Sequence, residues 1–147
     1  MIETLQGLGA NLKLATGIAP QAIAAGTTNG TGVDRRGQNA VVIDVEVGAT
    51  AGVPTSFTKD VKIQHSDTVG SGYVDFVPVS GSAASGAVAQ ITAASSRKKK
   101  SIDLRGAKQY VRVVDVTAFV GGTSPTILTA AVMVFGAADT LPAQADD

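Results

Sequence analysis

The chain has 147 residues, 12 basic and 12 acidic side chains, 17 glycines and no cysteine or tryptophan. That length suits one domain that buries a core without covalent staples. Zero net charge removes any general attraction to nucleic acid or anionic membranes. The lack of cysteine excludes disulfides and thiolate metal sites, as suits folding in a reducing cytoplasm.

Residues 1–30 hold only two charges, Glu3 and Lys13. Gly7, Gly9, Gly17 and Pro20 interrupt any helix, and Leu5, Leu8, Leu12 and Ile23 are irregularly spaced. Asn11 to Ala15 alternates well enough for a first strand. The remainder reads as an arm, wrapped on its own sheet or packed on a neighbouring subunit, because apolar chain is costly to leave in water. The start Met1-Ile2-Glu3-Thr4 lacks the basic region of a signal peptide, so no targeting segment is expected.

Gly26 to Gly32 is a turn cluster without the Lys-Ser/Thr of a phosphate-binding loop. Val41, Ile43, Val45 and Val47 then alternate with Asp44 and Glu46, which predicts a strand with one buried face. Phe57 to Ser66 predicts a second strand with Phe57, Val61 and Ile63 on one face. Tyr73 to Val79 predicts a third, with Pro78 marking an edge or an end. Ser80 to Gly86 is a small polar loop, and Val88 to Thr92 a short strand. Arg97-Lys98-Lys99-Lys100 is the one concentrated charge, a solvated loop or a contact for an acidic patch on a partner. Ser101 to Leu104 follows as a strand.

Gly106 marks a turn before a long strand from Gln109 to Phe119. There Tyr110 and Arg112 face one way and Val111 and Val113 the other, and Lys108 precedes them. A charge on a half-buried strand takes a partner, and Asp34, Asp103 and Asp115 are the candidates for Arg112. Thr126 to Phe135 is apolar on both faces, so it should be central and buried. The run from Val116 to Ala138 is broken by Gly121, Gly122 and Pro125, too interrupted to span a bilayer. Residues 137–147 read as an extended tail. The whole describes an all-β chain: one antiparallel β-sandwich over 31–136, jelly-roll-like, with an N-terminal arm and a C-terminal tail.

No constellation predicts catalysis, a cofactor or a metal. His65 and Ser66 are adjacent in a strand and point to opposite faces, so they do not form a nucleophile and base. The acidic residues are scattered singly, and the Asp44/Glu46 pair reads as the wet side of a sheet. A nucleic-acid surface would need a broader basic face with stacking aromatics. The expectation is a non-enzyme that binds neither nucleic acid nor membrane.

From Gly30 onward the chain resembles a family of small proteins encoded among the head and tail genes of tailed bacteriophages. The matching pieces are Gly32-Val33-Asp34-Arg35-Arg36-Gly37 before a valine-rich strand, and His65-Ser66-Asp67 before a Gly-Ser turn. Gly106-Ala107-Lys108-Gln109-Tyr110-Val111-Arg112-Val113 and the closing strand to Phe135-Gly136 complete the match, with Pro142 beyond. His65 stands where an acid is usual, and Gln109 where an arginine is usual. The resemblance implies a virion structural protein. Capsid decoration, or cement, fits best: a homotrimer on the major capsid protein, with Leu5, Leu8, Leu12 and the 97–100 cations at partner contacts. A head–tail connector, tail-terminator or minor tail protein is the structural alternative. The tyrosine-valine-arginine strand also resembles one in galactose-binding-like jelly rolls, which implies a carbohydrate-binding module on the virion surface.

Overall fold

The computed structural model describes residues 12–78, 87–88 and 90–138. Leu5, Leu8 and Pro142 lie outside them. Nine strands follow in order: β1 (Lys13–Ile23), β2 (Gly26–Asn29), β3 (Val33–Asp34), β4 (Gln38–Ala51) and β5 (Ser56–Ser66). Then come β6 (Val74–Asp75), β7 (Ser96–Asp103), β8 (Tyr110–Val120) and β9 (Thr126–Ala138). No helix forms among the described residues.

The strands make two antiparallel sheets. Sheet A has the order β1-β9-β4-β7. Sheet B has the order β2-β8-β5-β6, with β3 also paired to β8. Period-2 alternation aims one row of each strand at the space between the sheets. Val41, Ile43 and Val45 of β4 and Ile127, Met133 and Phe135 of β9 fill it from sheet A. Val61 and Ile63 of β5 and Val111 and Val113 of β8 fill it from sheet B. Each such side chain stabilises the fold by about 1.5–3 kcal/mol through burial.

Several elements differ from the sequence expectation. The region expected to be mostly arm forms β1 and β2: β1 pairs with β9 from Lys13 to Ile23 and buries Ile18 and Ile23. The gain of a sheet partner and two buried isoleucines outweighs the glycines and proline that argued against order. The Arg97 to Lys100 run is strand, not loop, because it continues the ladder β4 offers: Arg97 pairs with Glu46 and Lys99 with Asp44. The expected strand at Tyr73 shortens to Val74–Asp75. In place of the expected strand from Val88 to Thr92, Ala87 and Ile91 meet β5 through isolated bridges, with Lys62 and Lys59.

Both borders of sheet A are irregular. Strand β1 carries register shifts between Thr16 and Gln21, around the exposed Pro20. Strand β7 sets Lys98 opposite Val45 and Lys100 opposite Ile43, so two ammonium groups stand on the core-side row at the rim. Lys100 Nζ donates across the gap to the Ala87 carbonyl at 2.7 Å.

Candidate functional site

Two of the pieces of sequence on which the resemblance rests, 32–37 and 106–113, meet in space. Arg35 donates from Nε to the Lys108 carbonyl at 3.0 Å and from Nη1 to the Gln38 carbonyl at 3.1 Å, and Nη2 reaches the Ala107 carbonyl. Its backbone N–H donates to the Gln109 carbonyl at 2.9 Å. One guanidinium thus ties three chain segments together. The Leu104–Ala107 turn that delivers Ala107 needs Gly106, whose φ is 85° at the third turn position. Asp34 pairs in register with Tyr110, accepts from Arg36 Nε at 2.8 Å and from Gln109 Nε2 at 3.2 Å. These residues form a structural lock between β3 and β8.

The outer face of sheet B is polar and internally paired. Arg112 does not reach an aspartate as expected. It donates to Gln64 Oε1 at 2.8 Å and stacks on the Tyr73 ring, 4.1 Å from its centre. The register explains this: Gln64 lies directly opposite Arg112, whereas Asp34 is taken by Arg36, Asp103 by Arg105 and Asp115 by Lys59. Tyr110 Oη accepts from Gln109 Nε2 at 3.0 Å. Lys108 pairs with Asp67 at 2.8 Å, and its backbone N–H donates to His65 Nδ1 at 3.1 Å. Burial, then the nearby Lys108 charge, pulls the His65 imidazole below its ordinary value. Ser66 donates to the Ser71 carbonyl at 2.5 Å, so histidine and serine serve separate partners. Among the described residues, no three His, Cys, Asp or Glu side chains converge on a point.

The outer face of sheet A is different. Strand β9 is central, between β1 and β4, yet only one of its faces is buried. On the other, Leu128 is 52% and Val132 41% exposed, and Leu14 of β1 is 67% exposed. Register sets Leu14 and Val42 on either side of Val134, which makes an apolar row across three strands. Towards the other end of β9, Pro20, Gln21, Glu46, Gly48, Leu128 and Ala130 line a shallow depression of about 390 Å³. Exposed apolar side chains along one sheet face mark a contact surface, here interrupted by Thr16 and Asp44 beside Val132 and by Glu46 beside Ala130. The β4–β7 side of the same face is charged. Arg97 chelates Asp44 with two nitrogens and approaches Glu46 at 3.5 Å. Lys98 and Lys99 form no hydrogen bond or ion pair among the described residues. Leu12, the one described residue of the three leucines expected at partner contacts, is half-buried beside Gly136.

Arg97 holds the Asp44 carboxyl below its ordinary range, and Lys62 does the same for Asp75. The unfolded chain therefore takes up protons more readily on acidification. The stabilisation is complete above the unfolded value of 3.8 and is lost as pH falls through the lowered folded values. Asp44→Asn should lower the thermal midpoint slightly at neutrality and flatten its fall below about pH 4 by the same small amount, small because the pair is at the surface. Unfolding curves across that acid range check this, and an unchanged slope overturns it.

No family model matches the chain, and no curated protein matches its sequence. Solved structures do. The SPBc2 prophage-derived protein YomS is 11% identical, with 84% of this chain and 93% of YomS covered, at a TM-score of 0.44. A chain of the T13 IBDV viral particle is 11% identical over 84% of this chain at a TM-score of 0.47, and only 30% of that chain is covered. The Clostridium thermocellum xylanase 10B CBM22-1-GH10 modules are 10% identical over 92% of this chain and 28% of theirs, at a TM-score of 0.43. At these identities and scores, none of the matches assigns a role to this chain.

Proposed function

We propose that this protein is a virion structural protein of a tailed phage, without enzymatic activity, that decorates the outside of the capsid as a homotrimer. The observation that carries the reading is the open apolar face of sheet A, with Leu14, Leu128 and Val132 exposed on and beside a central strand. A rigid sandwich with one such face is built to bury it against another protein surface. The phage-like motif supports the same reading, because its residues lock the scaffold instead of forming a reactive centre. In this role the apolar face meets neighbouring subunits. Leu5 and Leu8 extend the contact, and the unpaired Lys98 and Lys99 meet acidic groups of the major capsid protein. The carbohydrate-binding reading loses support, since Arg112 occupies one face of the Tyr73 ring that a sugar would stack on.

Copy number in purified virions tests the proposal. Quantitative mass spectrometry against the major capsid protein is expected to find near-stoichiometric amounts. A handful of copies per particle moves the protein to the neck or tail, and its absence from particles overturns the virion role.

A further inference from the structure

The centre of sheet B holds two ionisable side chains that the proposed role leaves unused. Lys59 stands on the core side of β5 between Phe57 and Val61, and Asp115 stands on the core side of β8 beyond Val113. Lys59 lies opposite Thr117 and Asp115 opposite Val61, so lysine and aspartate meet on the diagonal. Both side chains are 0% exposed. Lys59 Nζ contacts Asp115 Oδ2, and Thr117 Oγ1 donates to Asp115 Oδ1 at 3.0 Å. The Lys59 backbone is fixed by two hydrogen bonds with Ile91, both 2.9 Å.

We propose that Lys59 and Asp115 condense after folding into an intramolecular isopeptide bond between Nζ and Cγ. An amine and a carboxyl locked in contact react as a single molecule, without the entropy cost of meeting. A dry enclosure also favours the uncharged pair over the ion pair, because charge without hydration is costly there. Burial accordingly pulls the Lys59 amine below its ordinary value.

The step balances within the pair. One proton passes from Nζ to Oδ2, leaving a neutral amine beside a neutral acid. The Nζ lone pair attacks Cγ, and the electron pair of the C=O bond moves onto Oδ1, where the Thr117 hydroxyl stabilises it. The Cγ–Oδ2 bond then breaks. Oδ2 departs with its own proton and one more from nitrogen, as water, and the amide keeps the last N–H. No oxidant, cofactor or second molecule enters. The bond spans 56 positions of sequence and joins the two central strands of sheet B. It gives a cysteine-free chain the cross-link that its composition denies it.

The test is the intact mass of the full chain, unfolded after it has stood folded until its mass is constant. The expected mass is that of the sequence less one water, with a branched peptide joining Lys59 to Asp115 in the digest. Lys59→Arg and Asp115→Ala should each show the full sequence mass. Wild-type protein at full sequence mass overturns the bond, whatever the variants do. A water loss that maps elsewhere, such as an aspartate cyclised on its own backbone, overturns it equally.

Discussion

Relative to wild-type chain at full sequence mass, in which the pair has not condensed, Lys59→Ala is expected to lower the unfolding free energy by about 3–5 kcal/mol, and Asp115→Ala by a similar amount. Either change strands a polar group in the core with no water and no counter-charge. Thr117 cannot replace the lost partner: its hydroxyl already donates to Asp115, and it carries no charge for Lys59. A domain of this size has roughly 5–15 kcal/mol in total, so each single variant loses a large part of its margin. The double variant Lys59→Met/Asp115→Leu should be more stable than either single variant, because it removes both charges and refills the space. Denaturant unfolding of the three variants decides the matter. Single variants within about 1 kcal/mol of wild type would show that water reaches the pair.

The second large effect is at the N-terminus. Removing residues 1–25 takes away β1, its ladder with β9, and the buried Ile18 and Ile23. The burial of those two side chains alone is worth roughly 3–6 kcal/mol, before the bared edge of β9 is counted. That truncation should abolish cooperative unfolding. Removing residues 1–11 leaves β1 intact and should keep the thermal transition while weakening capsid attachment. Circular dichroism melts with capsid pelleting separate the two outcomes. If the shorter truncation binds capsids as well as the full chain, Leu5 and Leu8 have no part in the contact.

The strands with clean alternation were legible in advance. Val41 to Val47 declares both element and face, because valine or isoleucine on every second position leaves one solution, whereas in Gln109 to Phe119 that alternation holds only as far as Val113. Strand β1 was not legible beyond its first residues. Its pairing depends on β9, more than a hundred residues away, and its Gly17 and Pro20 carry the opposite local preference. The 97–100 run failed for the same reason: charge density argued for a loop, but β4 offers a ladder in register and its acids receive Arg97. Strand β9 was readable as central but not as half-open, since apolar residues on both faces say nothing about what covers the second face.

The buried pair left a trace that composition hides. Lys59 falls on the same parity as Phe57, Val61 and Ile63, and Asp115 on that of Val111 and Val113. A charge at a core parity on each of two strands is the signal, and only knowledge that those strands are neighbours turns it into a contact. The Arg112 partner was misread because an aspartate was expected where a glutamine and a tyrosine ring suffice.

The two borders of sheet A have a consequence for crowded molecules. A sheet that ends in a smooth strand invites the next molecule to zip onto it, and repeated zipping makes a ribbon. Here the twisted, proline-bearing β1 spoils the template on one side, and on the other any incoming strand must desolvate Lys98 and Lys100 at the rim. Molecules packed side by side on one surface can touch through their flat apolar faces and still stay separate along their backbones. The edges of sheet A therefore resist strand-to-strand stacking even where copies of the protein are crowded.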